Sequence, residues 1–246
     1  MAPGASAALI EQAATVSYAI RKRGYLQAWH ALTAADIFAE LKGIDKSALF
    51  IAGEHDRIAG GDLGDLTSVT LQWPSGRTGG VGTHIIDAMC MYLGQRVVAV
   101  SGTLDFAGKP DCRGPDFKDY GSYGVLRMQS GLPVTVDAVD FSVLPIQIAI
   151  NGTKGRAVTS GDDVEFEYWD GRRDRLPSQK GKQSSMDRAV AAMVDSLEGN
   201  SEFPYPAIES VNVMEAIVGF HLSHDQNGAW VELPLSGADR KRAVMC

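Results

Sequence analysis

An α+β fold built on a large, mostly antiparallel sheet follows from three features of the sequence. From Thr67 onward apolar residues alternate with polar ones, which is the period of a half-buried strand. After residue 97 the apolar runs follow one another with no helical pattern between them, joined by short Gly-bearing connections that impose antiparallel pairing. Helical periodicity then returns near residue 184, so strands and helices are segregated rather than alternating.

Taken in order, residues 5 to about 23 and 25 to about 41 have the pattern of two helices broken at Gly24, and ALFIAG (48–53) is a short apolar run suited to a buried strand. Residues 1–61 are therefore read as a short helical segment with one strand, and 62–246 as a second, α+β domain. Val69, Leu71 and Trp73 alternate with polar residues along the first strand of the sheet. In GGVGTHIIDAMCMYLG (79–94), Ile85, Ala88, Met89, Tyr92 and Leu93 fall at helical spacing, and Gly94 closes the helix. Strands are expected next in VVAVSGTL, SYGVLRM, VTVDAVDFSV, PIQIAIN and VEFEYW, the last ending at an Asp170-Gly171 turn. Residues 171–183, GRRDRLPSQKGKQ, are polar and read as an exposed loop. A helix starts at Ser184, which makes a capping-box variant with Asp187, and carries Met186, Ala189, Val190, Met193, Val194 and Leu197 on one face. Pro206 opens another, with Ile208, Val211, Val213, Ala216, Ile217 and Phe220. Trp230, Val231, Leu233 and Leu235 form a closing strand. No internal repeat is present.

A chain of 246 residues, 45% hydrophobic and 22% charged, can bury one sizeable core. Its net charge is −7, and residues 1–61 carry six basic and six acidic side chains, so the whole acidic excess lies downstream. With no basic patch, nucleic acid is not an expected partner. No run approaches the roughly 18 apolar residues of a membrane span, and MAPGASAALIEQ lacks a charged region followed by an apolar core, so a cytoplasmic location without membrane contact is expected. Cys90, Cys112 and Cys246 form no CxxC pair and leave an odd thiol, which fits a reducing compartment and provides no zinc ligand set.

The glycine-rich stretch before the 84–93 helix draws attention to His84 and Asp87. Three residues apart, they share the outward face of its first turn. An imidazole and a carboxylate behind a glycine-rich loop can face a cleft, where free backbone N–H groups would also favour an anionic ligand. Equally, Asp87 can complement the helix dipole and His84 can act as a partly buried capping residue. Tyr120 and Tyr123 could line the same cleft or stand on a strand surface. His221 and His224, three apart beside Asp225, read as helix-end cations rather than metal ligands, since no third ligand can be placed. Trp73, Trp169 and Trp230 lie in strand patterns as core or interface anchors. Lys154 reads as a turn residue, and Cys90 as a small buried hydrophobe.

The order of these segments resembles the C-terminal domain of the Gfo/Idh/MocA family of sugar and polyol oxidoreductases over about residues 62–235. GDLGDLTSVTLQW is similar to that family's first strand. GGVGTHIIDAMCMYLG is similar to its glycine loop and His-x-x-Asp helix, and GVLRMQSGLPVTVDA and IQIAINGTKGRAV to its strand-turn-strand segments. MDRAVAAMVDSLEGN and VNVMEAIVGFHLSHDQNGAWVELPL are similar to its last helices and strand. The resemblance implies a sheet covered by helices on one face. It also implies a catalytic role for His84 in proton transfer beside a nicotinamide, with Asp87 binding or orienting the substrate. Imidazole suits that task because its unperturbed pKa lies near neutrality. Tyr120 and Tyr123, from their place beside that cleft, are the candidate substrate-binding residues.

The sequence departs from the family pattern in three places. Gly80 stands where the family has an acid four residues before the histidine, and the upstream Glu-Lys-Pro lysine has no counterpart. No G-x-G-x-x-G occurs, and about 60 residues precede the matching region against the roughly 120 of a dinucleotide-binding half. The expectation is a protein that binds no cofactor by this chain alone, with NAD(P) supplied through a separate nucleotide-binding chain. Its expected partners are a small-molecule substrate and further copies of itself, a homo-oligomer formed through the sheet face. LQAWHALTAADIFAELKGIDKSALFIAGEHDRI instead resembles a late portion of α/β-hydrolases, where Asp56 would match the triad acid and His84 has the separation of its partner. No G-x-S-x-G is present to supply the nucleophile. Two other functions stay open: a cofactor-independent lyase, isomerase or cyclase with His84 as base, and a non-catalytic binding or oligomerisation module.

Overall fold

The computed structural model describes residues 57–58, 61–74, 76–107, 114, 117–140, 143, 145–160, 163–177, 185–202 and 206–244. The expected helices and strand before residue 54, Asp56, Ser184, Cys112 and Cys246 lie outside these residues. The described elements belong to two compact units, one containing the helix Ser185–Leu197 and the other everything else.

Nine strands form one mixed sheet. They are β1 Leu66–Gln72, β2 Val97–Asp105, β3 Gly121–Met128, β4 Pro133–Asp137, β5 Gln147–Gly152, β6 Gly155–Ser160, β7 Asp163–Tyr168, β8 Arg173–Leu176 and β9 Val231–Glu232. Among the described residues there are three α-helices: α1 Thr83–Leu93, α2 Ser185–Leu197 and α3 Ala207–Asp225. The strand order is β8-β7-β6-β5-β1-β4-β3-β2-β9. The expected α+β class and the largely antiparallel pairing hold, with one correction: β1 inserts between β4 and β5 and runs parallel to β4, so the sheet is two meanders joined by a central strand. A parallel neighbour needs a long crossover, and α1, β2 and β3 together provide it.

Register explains where the core sits. Val100, Leu126, Val134, Val69, Ile150, Ala157 and Phe166 pair in sequence across seven strands and all are buried, so one face of the sheet is apolar almost from edge to edge. The next level, Ser101, Val125, Thr135, Thr70, Ala149, Val158 and Glu165, belongs to the opposite face and is at least partly exposed. Helix α3 packs on the apolar face along β2. A Cβ added to Gly102 would come within 2.7 Å of the Phe220 ring, and one on Gly219 within 2.9 Å of Val100, so glycines set the close approach of helix to strand.

The edge of β2 is only briefly covered by β9, which pairs with Ala99 and Val100 alone. Just beyond it Leu233 N–H donates to Val98 C=O at 2.8 Å, and side chains from α3 satisfy Val97, Gly102 and Leu104. Asn212 accepts from Val97 N–H at 3.0 Å and donates to Val97 C=O at 2.8 Å, at the bulge between Val97 and Ala99. Beside it Arg96 makes a two-pronged ion pair with Glu209, its Nε 2.9 Å from Oε2 and its Nη2 2.6 Å from Oε1. Further along, Gly102 N–H donates to Ser223 Oγ at 2.9 Å, and that hydroxyl donates to Ala229 C=O at 2.7 Å. Replacing Asn212 with alanine strands both polar groups of a buried backbone position. The expected cost is about 1–3 kcal/mol, read as a lower urea midpoint at unchanged slope.

Several other expectations change. Residues 173–176 form a strand rather than part of a loop. β8 is polar because it is the sheet edge: its ladder to β7 is reinforced by Arg175 with Asp163, and by Arg173 with Glu167 at 3.2 Å, which also pairs with Arg156 at 2.7 Å. The VTVDAVDFSV strand stops at Asp137, and the closing strand is confined to Val231–Glu232. Trp73 is fully buried, but Trp169 is 81% exposed, and Trp230 is 47% exposed under the guanidinium of Arg127, 5.1 Å from its ring centre. Within α2 the stripe of Val190, Met193, Val194 and Leu197 is exposed.

Candidate functional site

The chain reaches α1 through a tight π-helical turn, Thr78–Gly82, and the surrounding residues dictate its glycines. The Trp73 indole lies beneath it and donates to Gly76 C=O at 2.6 Å, and a Cβ on Gly82 would lie 2.9 Å from that ring. Thr78 N–H donates to Tyr120 C=O at 2.9 Å, and Thr78 Oγ1 to Ser122 Oγ at 2.8 Å. Arg77, in the left-handed region at φ +52°, turns the chain so that its carbonyl accepts from both Val81 and Gly82 N–H. Helix α1 then buries Ile85, Ile86, Met89 and Cys90, and its last turn closes at Gly94 in the left-handed conformation.

His84 is exposed on the first turn of α1, and Asp87, one turn on, is half-buried. The N-cap position of this helix is Gly82, with no side-chain capping hydrogen bond, so His84 does not take the capping role considered for it. The backbone N–H groups expected to await an anion are already taken. Gly79 N–H donates to Asp119 Oδ1 and Gly80 N–H to Asp119 Oδ2, both at 2.7 Å. Asp119 is the residue that sequence reading missed. It lies outside any periodic element, and only the fold brings residues 79 and 119 together.

The two tyrosines part company. Tyr120 runs beside the π-helical turn through its backbone, and its ring meets Phe106 edge-on at 4.5 Å, which in turn meets the His224 ring at 4.7 Å. Tyr123 follows the fully buried Ser122 on β3, so it projects from the face opposite the turn and is half exposed there, level with Thr103 and Asp137. The structure therefore brings His84, Asp87 and the Tyr120 segment to one end of the helical face and leaves Tyr123 on the other side of the sheet.

Of the two late histidines, His221 is not a helix-end cation of the expected kind, and His224 turns onto β2. His224 Nδ1 accepts from Leu104 N–H at 3.3 Å and lies 2.7 Å from Thr103 Oγ1, so it caps the β2 edge. His221 is held neutral, its pKa pushed down to about 4 by burial first and then by the charge of Arg242. Cys90 is inert as expected, its thiol pushed up to about 12 by burial and by the charges of Asp87 and Glu209. Among the described residues no three His, Cys, Asp or Glu side chains gather as a metal would require, and no helix is long and apolar enough to cross a membrane. Arg57, which follows the hydrolase-like acid, is a fold lock: its guanidinium binds Asp62 and Asp174 at 2.7 Å each and Tyr168 Oη at 2.7 Å over the Phe166 ring.

These features define a class: an α+β domain on a nine-stranded mixed sheet, with an outward histidine and a carboxylate on the first turns of a helix that follows a glycine-rich turn. Solved structures of oxidoreductases share the fold. An inositol dehydrogenase homologue from Azotobacter vinelandii, complexed with NADH and myo-inositol, matches at TM-score 0.58 and 17% identity over 72% of this chain and 59% of that one. An aldose-aldose oxidoreductase from Caulobacter crescentus, complexed with glycerol, matches at TM-score 0.58 and 14% identity over 75% and 62%. An oxidoreductase from Sinorhizobium meliloti matches at TM-score 0.58 and 14% identity over 74% and 61%. The chain thus spans about six tenths of the length of these neighbours. No family model and no curated protein matches the sequence.

Proposed function

We propose that this chain forms the substrate side of a Gfo/Idh/MocA-type oxidoreductase acting on a sugar, a cyclic polyol or a related small hydroxy or carbonyl compound. The observation that carries the reading is the exposed His84 with Asp87 on the first turns of α1, in a fold shared with an inositol dehydrogenase homologue that binds myo-inositol. Removing hydride from a carbinol carbon requires that the hydroxyl lose its proton. An exposed imidazole can accept that proton near neutral pH, and the carboxylate one turn further can hold a neighbouring hydroxyl.

We infer that this chain alone does not hold a dinucleotide. Its pyrophosphate is ordinarily held by free N–H groups at a helix start behind a parallel strand. Here Asp119 occupies those of Gly79 and Gly80, in the turn that follows β1. The proposal accordingly assigns this chain the proton and the substrate hydroxyls, and assigns the nicotinamide to a partner domain or chain. Self-association through the open sheet face is part of the same proposal. That face presents Tyr123, Val125, Ala149 and Val158 to solvent at least in part, and a sedimentation profile showing only monomer at micromolar concentration would count against it.

Titration with myo-inositol while following the His84 imidazole resonance tests the substrate side, and NADH fluorescence tests the cofactor side. Saturable polyol binding is expected in the wild type and a loss of about tenfold or more in His84→Ala and Asp87→Asn, the range for removing a hydrogen bond to a charged group. A polyol response that survives both substitutions removes these residues from the site. Polyol binding with turnover in the absence of any nicotinamide would favour a lyase or isomerase that uses the same base.

A further inference from the structure

Helix α2 turns its apolar side chains out to solvent. Val190, Met193, Val194 and Leu197 run along one side of it, and all four are exposed, Leu197 by 83%. A helix of 13 residues is marginal in water unless an apolar face packs on a partner, and the compact unit that contains the sheet does not include α2. The stripe is also regular in sequence: Met186, Val190, Met193 and Leu197 recur at intervals of four, three and four. That is the spacing of one helix in a two-helix seam. Beside its C-terminal end stand two exposed carboxylates, Asp195 and Glu198.

Residues 1–56, outside the described residues, contain a segment of matching pattern. Within the helix that the sequence predicts over residues 5 to about 23, Leu9, Ala13, Val16 and Ile20 recur at the same intervals of four, three and four. We propose that this segment of the same chain covers α2: residues 5–23 form a helix lying parallel to it, with Leu9, Ala13, Val16 and Ile20 level with Met186, Val190, Met193 and Leu197. Charge selects the direction. The segment ends in Arg21, Lys22 and Arg23, which a parallel arrangement brings beside Asp195 and Glu198. An antiparallel one would set the same three cations at the start of α2, against the positive end of its dipole. Small residues next to the stripes, Ala19 on one helix and Ala189 and Ser196 on the other, suit a close approach of the two axes. A second copy of α2 would bring no such basic run to Asp195 and Glu198, so the chain's own N-terminal segment is the better occupant. The pairing gives that segment a packing task that does not depend on the His84 chemistry.

Paired cysteines in the full chain test the register. Under mild oxidation Val16→Cys with Met193→Cys should close a disulfide within one chain, because facing positions of such a seam bring their Cβ atoms into bridging range. Closure should be about tenfold or more faster than for Val16→Cys with Ala191→Cys, since exposed position 191 points away from the stripe. Mass mapping of the peptides separates the new bridge from any that involves Cys90, Cys112 or Cys246. Hydrogen exchange supplies the second measurement: Val16→Asp should speed exchange of the α2 amides by about tenfold or more and leave those of β1 and β4 unchanged, as expected when one local unit loses its cover. Adding Met193→Lys to that variant should restore part of the protection. Equal closure of the two cysteine pairs, bridges that form only between chains, or α2 amides indifferent to Val16→Asp would each overturn the proposal, and bridges between chains would make a second copy the occupant. Should Val16→Asp fail to fold, the cysteine pairs decide alone.

Discussion

Substituting alanine for Trp73 is expected to remove about 3–5 kcal/mol of stability, the usual range for deleting a buried tryptophan side chain, and with it a large share of what holds a domain of ordinary stability together. Trp73 is the largest of the fully buried side chains. Its indole N–H supplies the hydrogen bond to Gly76 C=O, so the truncation also strands a carbonyl. The same ring is the floor beneath Gly82, so the effect reaches the site: without it the π-helical turn loses its lower support and α1 its fixed direction. Urea denaturation should show the loss, and Trp73→Phe, which restores much of the volume but not the N–H donor, should recover only part of it. A wild-type midpoint in Trp73→Ala would show that the turn is held by Asp119 and the Thr78 contacts alone.

Acid should destabilise the fold in a window set by His221. Burial, then Arg242, pushes its folded pKa down to about 4 from an ordinary 6.5. The unfolded chain therefore binds the extra proton first. The stability that comes from keeping this imidazole neutral is complete above about pH 6.5 and is lost as pH falls toward about 4, an amount of order 2–3 kcal/mol. Among the charged groups facing it, Arg242 and His224 add to the effect of burial, and Asp225 opposes them while itself paired to Arg242. Glu215, on the same helix, works in the other direction. Burial raises its carboxyl above the usual range against the pull of Arg240 at 3.8 Å, so its burden is lifted as pH falls. Comparing wild type with His221→Leu isolates the histidine: the variant's stability should be much flatter between pH 6.5 and 4. An unchanged slope would mean that His221 takes up its proton without leaving the fold.

How far the sequence discloses this molecule can be followed residue by residue. Period-two alternation locates β1, β2, β3, β5 and β7 because each has one buried and one wetter face, and the 3.6-residue spacing locates α1 and α3 for the same reason. β8 escapes notice because an edge strand needs no apolar face, and Arg173, Asp174 and Arg175 resemble a loop. The insertion of β1 between β4 and β5 escapes for a different reason: strand alternation records which face a residue takes, and it carries no information about which neighbour the strand chooses. At the site, His84 and Asp87 stand out through local spacing. Asp119 does not, since 40 residues of chain separate it from Gly79. The contact between His224 and Leu104 N–H likewise exists only once β2 is in place beside the helix.

By itself, the sequence determined the class of fold, the helix with His84 and Asp87 on its outward face, and the need for small residues in the turn before it. These are consequences of side-chain periodicity and backbone sterics within a few neighbouring residues. The tertiary structure decided the strand order, the neutrality of His221, the separation of Tyr123 from Tyr120, and the carboxylate of Asp119 that holds the turn before α1. Each of these depends on groups distant in the chain meeting at hydrogen-bonding range, where desolvation and charge act over a few ångströms and sequence separation has no bearing.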